Sequence, residues 1–152
     1  MKVYKLEREQ FLPVSIDEAW EFFSDPKNLE KITPDSMKFE ILSELPEKIY
    51  PGIMILYKIK PFLNIRMDWA TVINHIKEPH MFIDEQISGP YKLWHHQHIF
   101  KEAENGIMMT DIVHYSLPFG ILGKLAHKLF IKKQLENIFN FRYEFLEKKF
   151  KN

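Results

Sequence analysis

Cysteine is absent from the chain, which excludes disulfides, zinc–thiolate centres and thiol nucleophiles and suits a reducing compartment. Net charge is absent too. The 21 Lys and Arg are balanced by 21 Asp and Glu, so there is no global basic field for nucleic acid or an anionic membrane. Glycine is scarce, at five residues. No G-x-G-x-x-G, G-x-S-x-G elbow or phosphate-cradling loop occurs, so those nucleotide-binding and serine-nucleophile constellations are missing. Aromatic-plus-basic stacking surfaces for single-stranded nucleic acid are missing as well. No apolar run reaches bilayer length. The start, M-K-V-Y-K-L-E-R-E-Q, carries charges where a signal peptide needs an apolar stretch. The expectation is a soluble, cytoplasmic protein that neither binds nucleic acid nor inserts stably in a membrane.

What the chain does have is soft apolar bulk: 13 Phe, 7 Met, 6 Tyr and 3 Trp in 152 residues. Such side chains fill cores, and they also line adaptable cavities. The length fits one domain over residues 1–152. Residues 3–13 look extended. Ser15 and Glu18 form a capping box before the apolar stripe Ile16, Ala19, Trp20 and Phe23. A second short helix starts near Pro26 and stops before Pro34. Residues 36–117 read as strands separated by turn clusters, with Met67, Trp69, Thr71 and Ile73 sharing one face. After Pro118 a long helix follows, its expected apolar stripe formed by Leu122, Leu125, Leu129, Ile138, Phe139, Arg142, Phe145 and Leu146. The basic first half of that helix raises a membrane-surface or partner role. A long amphipathic helix after an antiparallel sheet normally covers the sheet, and that is the expectation here.

The order is therefore one strand, two short helices, about six strands and a long helix, an α+β architecture with room for a ligand between sheet and helix. Four stretches carry a family likeness: L-P at 12–13, W-E-F-F-S-D-P-K-N-L-E-K-I-T-P at 20–34, F-I-D-E-Q-I-S-G-P-Y-K-L-W-H-H-Q-H-I-F at 82–100 and D-I-V-H-Y-S-L-P-F-G at 111–120. With them the chain resembles the helix-grip superfamily of START domains, Bet v 1-like proteins and polyketide cyclases (the SRPBCC group), and within it a bacterial branch of small members. The resemblance implies a curved antiparallel sheet of about seven strands gripping the C-terminal helix, with a ligand cavity between them. It does not name the ligand, because family members range from lipid carriers to receptors and cyclases.

Three histidines fall within W-H-H-Q-H at 94–98. Taking Asn105-Gly106 as a two-residue hairpin turn places Phe100 opposite Asp111 and His98 opposite Val113. One hairpin face then holds Trp94, His96, His98, Phe100, Asp111, Val113, Tyr115 and Leu117, and it is the face expected to point inward. His95 and His114 point away. With His114 on the wrong face, His96 and His98 lack an evident third ligand, so no metal and no other cofactor is expected; Asp111, His75 and Asp84 are the alternatives if register allows. Asp111 either sits solvated at the sheet's open end or accepts an imidazole N–H. Asp84 points outward if Gly89-Pro90 makes a tight turn and faces His96 if the loop is one residue longer.

The expected ligand site comprises Trp69, Trp94, His96, His98, Phe100, Asp111, Val113, Tyr115, Leu125 and Leu129, with Asp84, Gln86 and His75 as further candidates. The first reading is binding of an apolar or aromatic small molecule. The second is a cyclase, dehydratase or hydrolase in which His96, His98, Asp111 and Tyr115 move protons. The third is an interaction module, which would have a filled cavity and an exposed apolar patch.

Overall fold

The computed structural model describes residues 1–151. Seven strands form one antiparallel sheet: β1 (Tyr4–Leu12), β2 (Glu40–Ile41), β3 (Ile53–Phe62), β4 (Ile65–Lys77), β5 (Met81–Ser88), β6 (Leu93–Ala103) and β7 (Gly106–Ser116). Their spatial order is β1-β7-β6-β5-β4-β3-β2, so consecutive hairpins run from β2 to β7 and β1 returns to pair with β7. Between β1 and β2 lie helix α1 (Ile16–Phe23) and two short 3₁₀ turns, Pro26–Leu29 and Asp35–Met37. The expected capping box is formed: the Glu18 N–H donates to Ser15 Oγ at 3.2 Å, and the Ser15 N–H donates to Glu18 Oε2 at 2.9 Å.

The C-terminal helix has three parts. α2 (Gly120–Ala126) leads through a π-helical turn (His127–Ile131) into α3 (Lys132–Lys151). α3 lies against the inner sheet face through Leu135, Phe139, Arg142 and Leu146, continuing from Ile131 at the end of the turn, all buried. Gln10 of β1 anchors it, donating to Tyr143 O at 3.0 Å and to Glu147 Oε1 at 2.9 Å. The expected covering role of Leu122, Leu125 and Leu129 is corrected: they are 71%, 52% and 67% exposed. Leu129 and Ile138 lie nine residues apart, about two and a half α-helical turns, so the two halves of the expected stripe never shared a face. The wide turn at His127–Ile131 shifts the phase again where they meet.

The β6–β7 hairpin also differs in detail. Its turn is Glu104–Asn105, with Ala103 paired to Gly106 and Asn105 at φ 62°. His98 therefore pairs with Asp111, His96 with Val113 and Trp94 with Tyr115. Moving the turn by one residue moves each partner by two, which preserves the faces because side chains alternate with period two. Gly106 is needed for close approach: a Cβ there would lie 2.3 Å from the Leu12 carbonyl oxygen. Among the described residues no helix is long and apolar enough to cross a membrane.

Candidate functional site

The inward faces of three neighbouring strands bring together Asp84 of β5, His96 and His98 of β6, and Asp111 of β7. Arg142 of α3 closes the group from the opposite side, its guanidinium Nη1 3.7 Å from Asp111 Oδ1. The two imidazoles lie with ring centres 3.7 Å apart and planes tilted by 34°, clamped between the two carboxylates. His96 Nε2 is 2.8 Å from Asp111 Oδ1, and His98 Nε2 is 2.6 Å from Asp84 Oδ2. The remaining nitrogens complete the ring: His98 Nδ1 lies 3.1 Å from Asp111 Oδ1 and His96 Nδ1 lies 3.6 Å from Asp84 Oδ2. All five groups are buried or nearly so.

The protonation pattern follows from these contacts. Burial drives the pKa of His98 down, but its hydrogen bonds to Asp111 and Asp84 outweigh this and hold it above the usual imidazole value. For His96 burial wins, reinforced by the neighbouring His98 charge, and its pKa falls. Burial would raise both carboxylates. For Asp111 the Arg142 charge and the two imidazole hydrogen bonds overcome it and hold the group well below the carboxylate range. For Asp84 the two imidazoles and Arg142 do the same, less strongly. The raised pKa of His98 favours its imidazolium, both of whose nitrogens face carboxylates. The lowered pKa of His96 favours a neutral ring with Nε2–H towards Asp111 and the lone pair on Nδ1. Two carboxylates, one guanidinium and one imidazolium sum to zero, the condition under which such a cluster tolerates burial.

Asp84, His96 and His98 each offer one ligand atom, and these three atoms lie within 4.8 Å of one another and could hold a metal ion. The third ligand thought missing is therefore present, and Asp111 would orient both imidazoles from behind. The charge count argues the other way. With neutral imidazoles a dication would leave the cluster positive beside Arg142, whereas one proton leaves it neutral.

The network opens onto a cavity of two adjoining lobes, about 130 Å³ each. Trp69, Trp94, Tyr57, Ile32, His96 and Arg142 border both lobes. One lobe runs towards Phe22, Phe23 and Ile73 under α1; the other runs along α3 to Leu135 and Ile138. The walls are held by ring contacts. Tyr57 stacks on Trp69 at 5.7 Å, and Tyr91 packs on Trp94 at 4.8 Å and on Trp69 at 5.5 Å. Polar atoms beyond the network are few: the Tyr57 and Thr71 hydroxyls bond each other at 3.0 Å. Trp69 Nε1 and Arg142 Nε have no partner among the described residues.

Of the residues expected at the site, Trp69, Trp94, His96 and His98 border the cavity, and Asp111 lies directly behind the two imidazoles. Asp84 borders it as well, because the loop after β5 is the longer alternative and pairs Asp84 with His96. The alternate residues of the strand, Met81, Ile83 and Ile87, face outward although they are the more apolar set, with Ile87 58% exposed. Phe100 and Val113 point inward but sit in the packed core rather than on the cavity. Phe100 is held against Phe23 at 5.2 Å and Trp20 at 6.0 Å. Tyr115 is drawn to the other end of the hairpin, where its hydroxyl hydrogen-bonds with His127 Nε2 at 2.8 Å. Burial pushes its phenol up to about 12.

Leu125 and Leu129 lie outside the cavity altogether, their side chains turned to solvent for the phase reason given above. His75 is exposed, because a bulge between Ile73 and His75 turns it off the inner face. Gln86 pins the loop after β5, donating to Tyr91 O at 2.7 Å and accepting from the Tyr91 N–H at 3.1 Å. His95 faces outward to Glu85 at 2.6 Å, as the alternation requires. Arg142 was not expected at the site. Its signal was available: a single charged residue within an otherwise apolar helix stripe.

No family model matches the sequence, and no curated protein matches it either. Solved structures do. The protein TTHA0849 of Thermus thermophilus superposes with a TM-score of 0.75 at 14% identity, covering 95% of each chain. A START superfamily protein from Mycobacterium smegmatis gives 0.71 at 10% identity over 97% of each. A norcoclaurine synthase point mutant from Thalictrum flavum, in complex with a transition-state analogue, gives 0.67 at 12% identity over 97% of this chain and 96% of that one. The chain has the SRPBCC/Bet v 1-like helix-grip fold.

Proposed function

We propose that the protein binds a small aromatic molecule carrying a hydrogen-bond donor, in the cavity between the sheet and α3. The observation that carries this reading is the buried Asp84–His96–His98–Asp111–Arg142 network, which opens onto otherwise apolar walls. A fold needs no such cluster for stability, because buried ion pairs recover little more than the cost of desolvating them. The ligand's size follows from the lobes. A cavity of about 150 Å³ holds one benzene ring, so two lobes of about 130 Å³ suit a fused or linked pair of rings. Apolar burial drives affinity at about 25 cal/mol per Å². His96 Nδ1 and the Asp84 carboxylate can accept, while the Trp69 and Arg142 N–H groups without a partner among the described residues can donate. The ligand's polar end is therefore a group that does both, such as a phenolic hydroxyl.

A second reading, proton transfer on a bound carbonyl compound, draws support from the opposite pKa shifts of the two imidazoles. Groups whose titrations are pushed apart are suited to divide acid and base roles, and His96 would be the base. Tyr115 has no part in it. The norcoclaurine synthase neighbour is an enzyme by name and holds a transition-state analogue, which keeps this reading beside the first. The absence of cysteine supports a cytoplasmic setting for either. Native mass spectrometry of the protein as purified tests the binding reading. The expected result is a 1:1 adduct of an aromatic metabolite, or uptake of added 2-naphthol. A bare protein mass that stays bare on addition of 2-naphthol would contradict it.

A further inference from the structure

We infer that residues 119–133 dock the protein on an anionic phospholipid surface. In this segment the side turned to solvent is the apolar one. Phe119, Ile121, Leu122, Leu125 and Leu129 are 81%, 83%, 71%, 52% and 67% exposed. The orientation is fixed from the other side of the helix. Gly123 is buried, and a Cβ there would lie 2.1 Å from the Pro118 carbonyl oxygen, so only glycine lets α2 press this closely on the chain before it. Turning the helix to hide the leucines would bring larger side chains into that contact. The apolar face is therefore a consequence of how α2 is seated, and it has no partner among the described residues.

Charge identifies what it fits. From Ile112 to Leu135 there is no Asp or Glu, while Lys124, Lys128, Lys132 and Lys133 all fall there. Lys2 and Lys92 join them in space, bordering one surface hollow with Phe119, Ile121 and Lys124. The chain as a whole is neutral, so the remainder is net acidic and the molecule has a basic, apolar end. Exposed Phe, Ile and Leu flanked by Lys is the composition of an interfacial helix, whose apolar face sinks roughly 5–10 Å into the headgroup boundary. A protein interface would instead deplete Lys and favour Tyr, Trp and Arg. Each lysine near an anionic leaflet adds to binding, and salt screens it. The contact is peripheral and reversible.

Co-sedimentation of the full chain with phosphatidylcholine vesicles, with and without phosphatidylglycerol, tests the inference. The wild type should pellet with the anionic vesicles only and be released by high salt. Leu125→Ser with Leu129→Ser, and separately Lys124→Glu with Lys128→Glu, should each weaken binding about tenfold or more. Both pairs are solvent-exposed, and unchanged circular dichroism would establish that they fold. Wild type remaining in the supernatant with anionic vesicles would overturn the inference. So would a dimer in sedimentation velocity that the leucine variant dissociates without any vesicle binding, since the face would then belong to a second copy. Neither result touches the cavity reading, which native mass spectrometry addresses without vesicles.

Discussion

His96 and His98 are the same side chain two residues apart on one strand face, yet their surroundings shift their pKa values in opposite directions. Burial and the neighbouring His98 lower that of His96, while for His98 burial is outweighed by hydrogen bonds to two carboxylates, which raise it. The consequence for stability has a definite sign. A raised pKa in His98 contributes stability that is fully present below the ordinary imidazole value of 6.5 and is lost as pH rises through the folded value. The lowered pKa of His96 acts on the other side: below 6.5 the unfolded chain takes up a proton that the folded chain refuses. Asp84 and Asp111, held below the carboxylate value of 3.8, add a further loss at more acid pH. Stability should therefore peak near or just above the ordinary imidazole value and decline on both sides. Urea unfolding across pH checks this, with His98→Asn as the control. The variant should lose the alkaline decline, and an unchanged alkaline limb would mean that His98 carries no extra proton.

At the scale of elements, the sheet was legible in the sequence and the helix only in part. Strand alternation is a period-two signal, so a turn misplaced by one residue still left His96, His98 and Asp111 on the correct face. Ser15–Glu18 was readable because a capping box is local. The C-terminal helix failed on phase. Leu125 and Leu129 look like core residues among the apolar positions of the sequence, but the π-helical turn and the seat of Gly123 place them outside. No local pattern marks such a turn. The covering residues can be told from the exposed ones by stability. Leu135 is 3% exposed, and Leu135→Ser should cost about 2–5 kcal/mol through lost packing and a buried hydroxyl. Leu129, at 67% exposure, should tolerate the same change within about 0.5 kcal/mol. Thermal or urea unfolding of the two variants decides it, and equal losses would contradict the seating of the helix.

For the whole molecule, the inner face of the sheet, the aromatic side chains and α3 enclose a two-lobed cavity with one polar spot. The sequence hid the centre of that spot in two ways. Asp84 depended on one residue of loop length, which alternation cannot supply. Arg142 comes from an element distant in sequence, and only the docking of α3 brings it to Asp111. The segregation of lysine from acid was also invisible in a net charge of zero. The central claim is that this polar spot orients an aromatic ligand. It is tested most directly by comparing 2-naphthol with naphthalene, followed through quenching of Trp69 and Trp94, which border both lobes. Wild type should prefer the naphthol by roughly 1–3 kcal/mol, the usual contribution of a hydrogen bond to a charged or buried partner. His96→Ala should abolish the preference, and His95→Ala, on the outer face, should leave it intact. Equal affinity of the wild type for the two compounds, or loss of the preference in His95→Ala alone, would contradict the account.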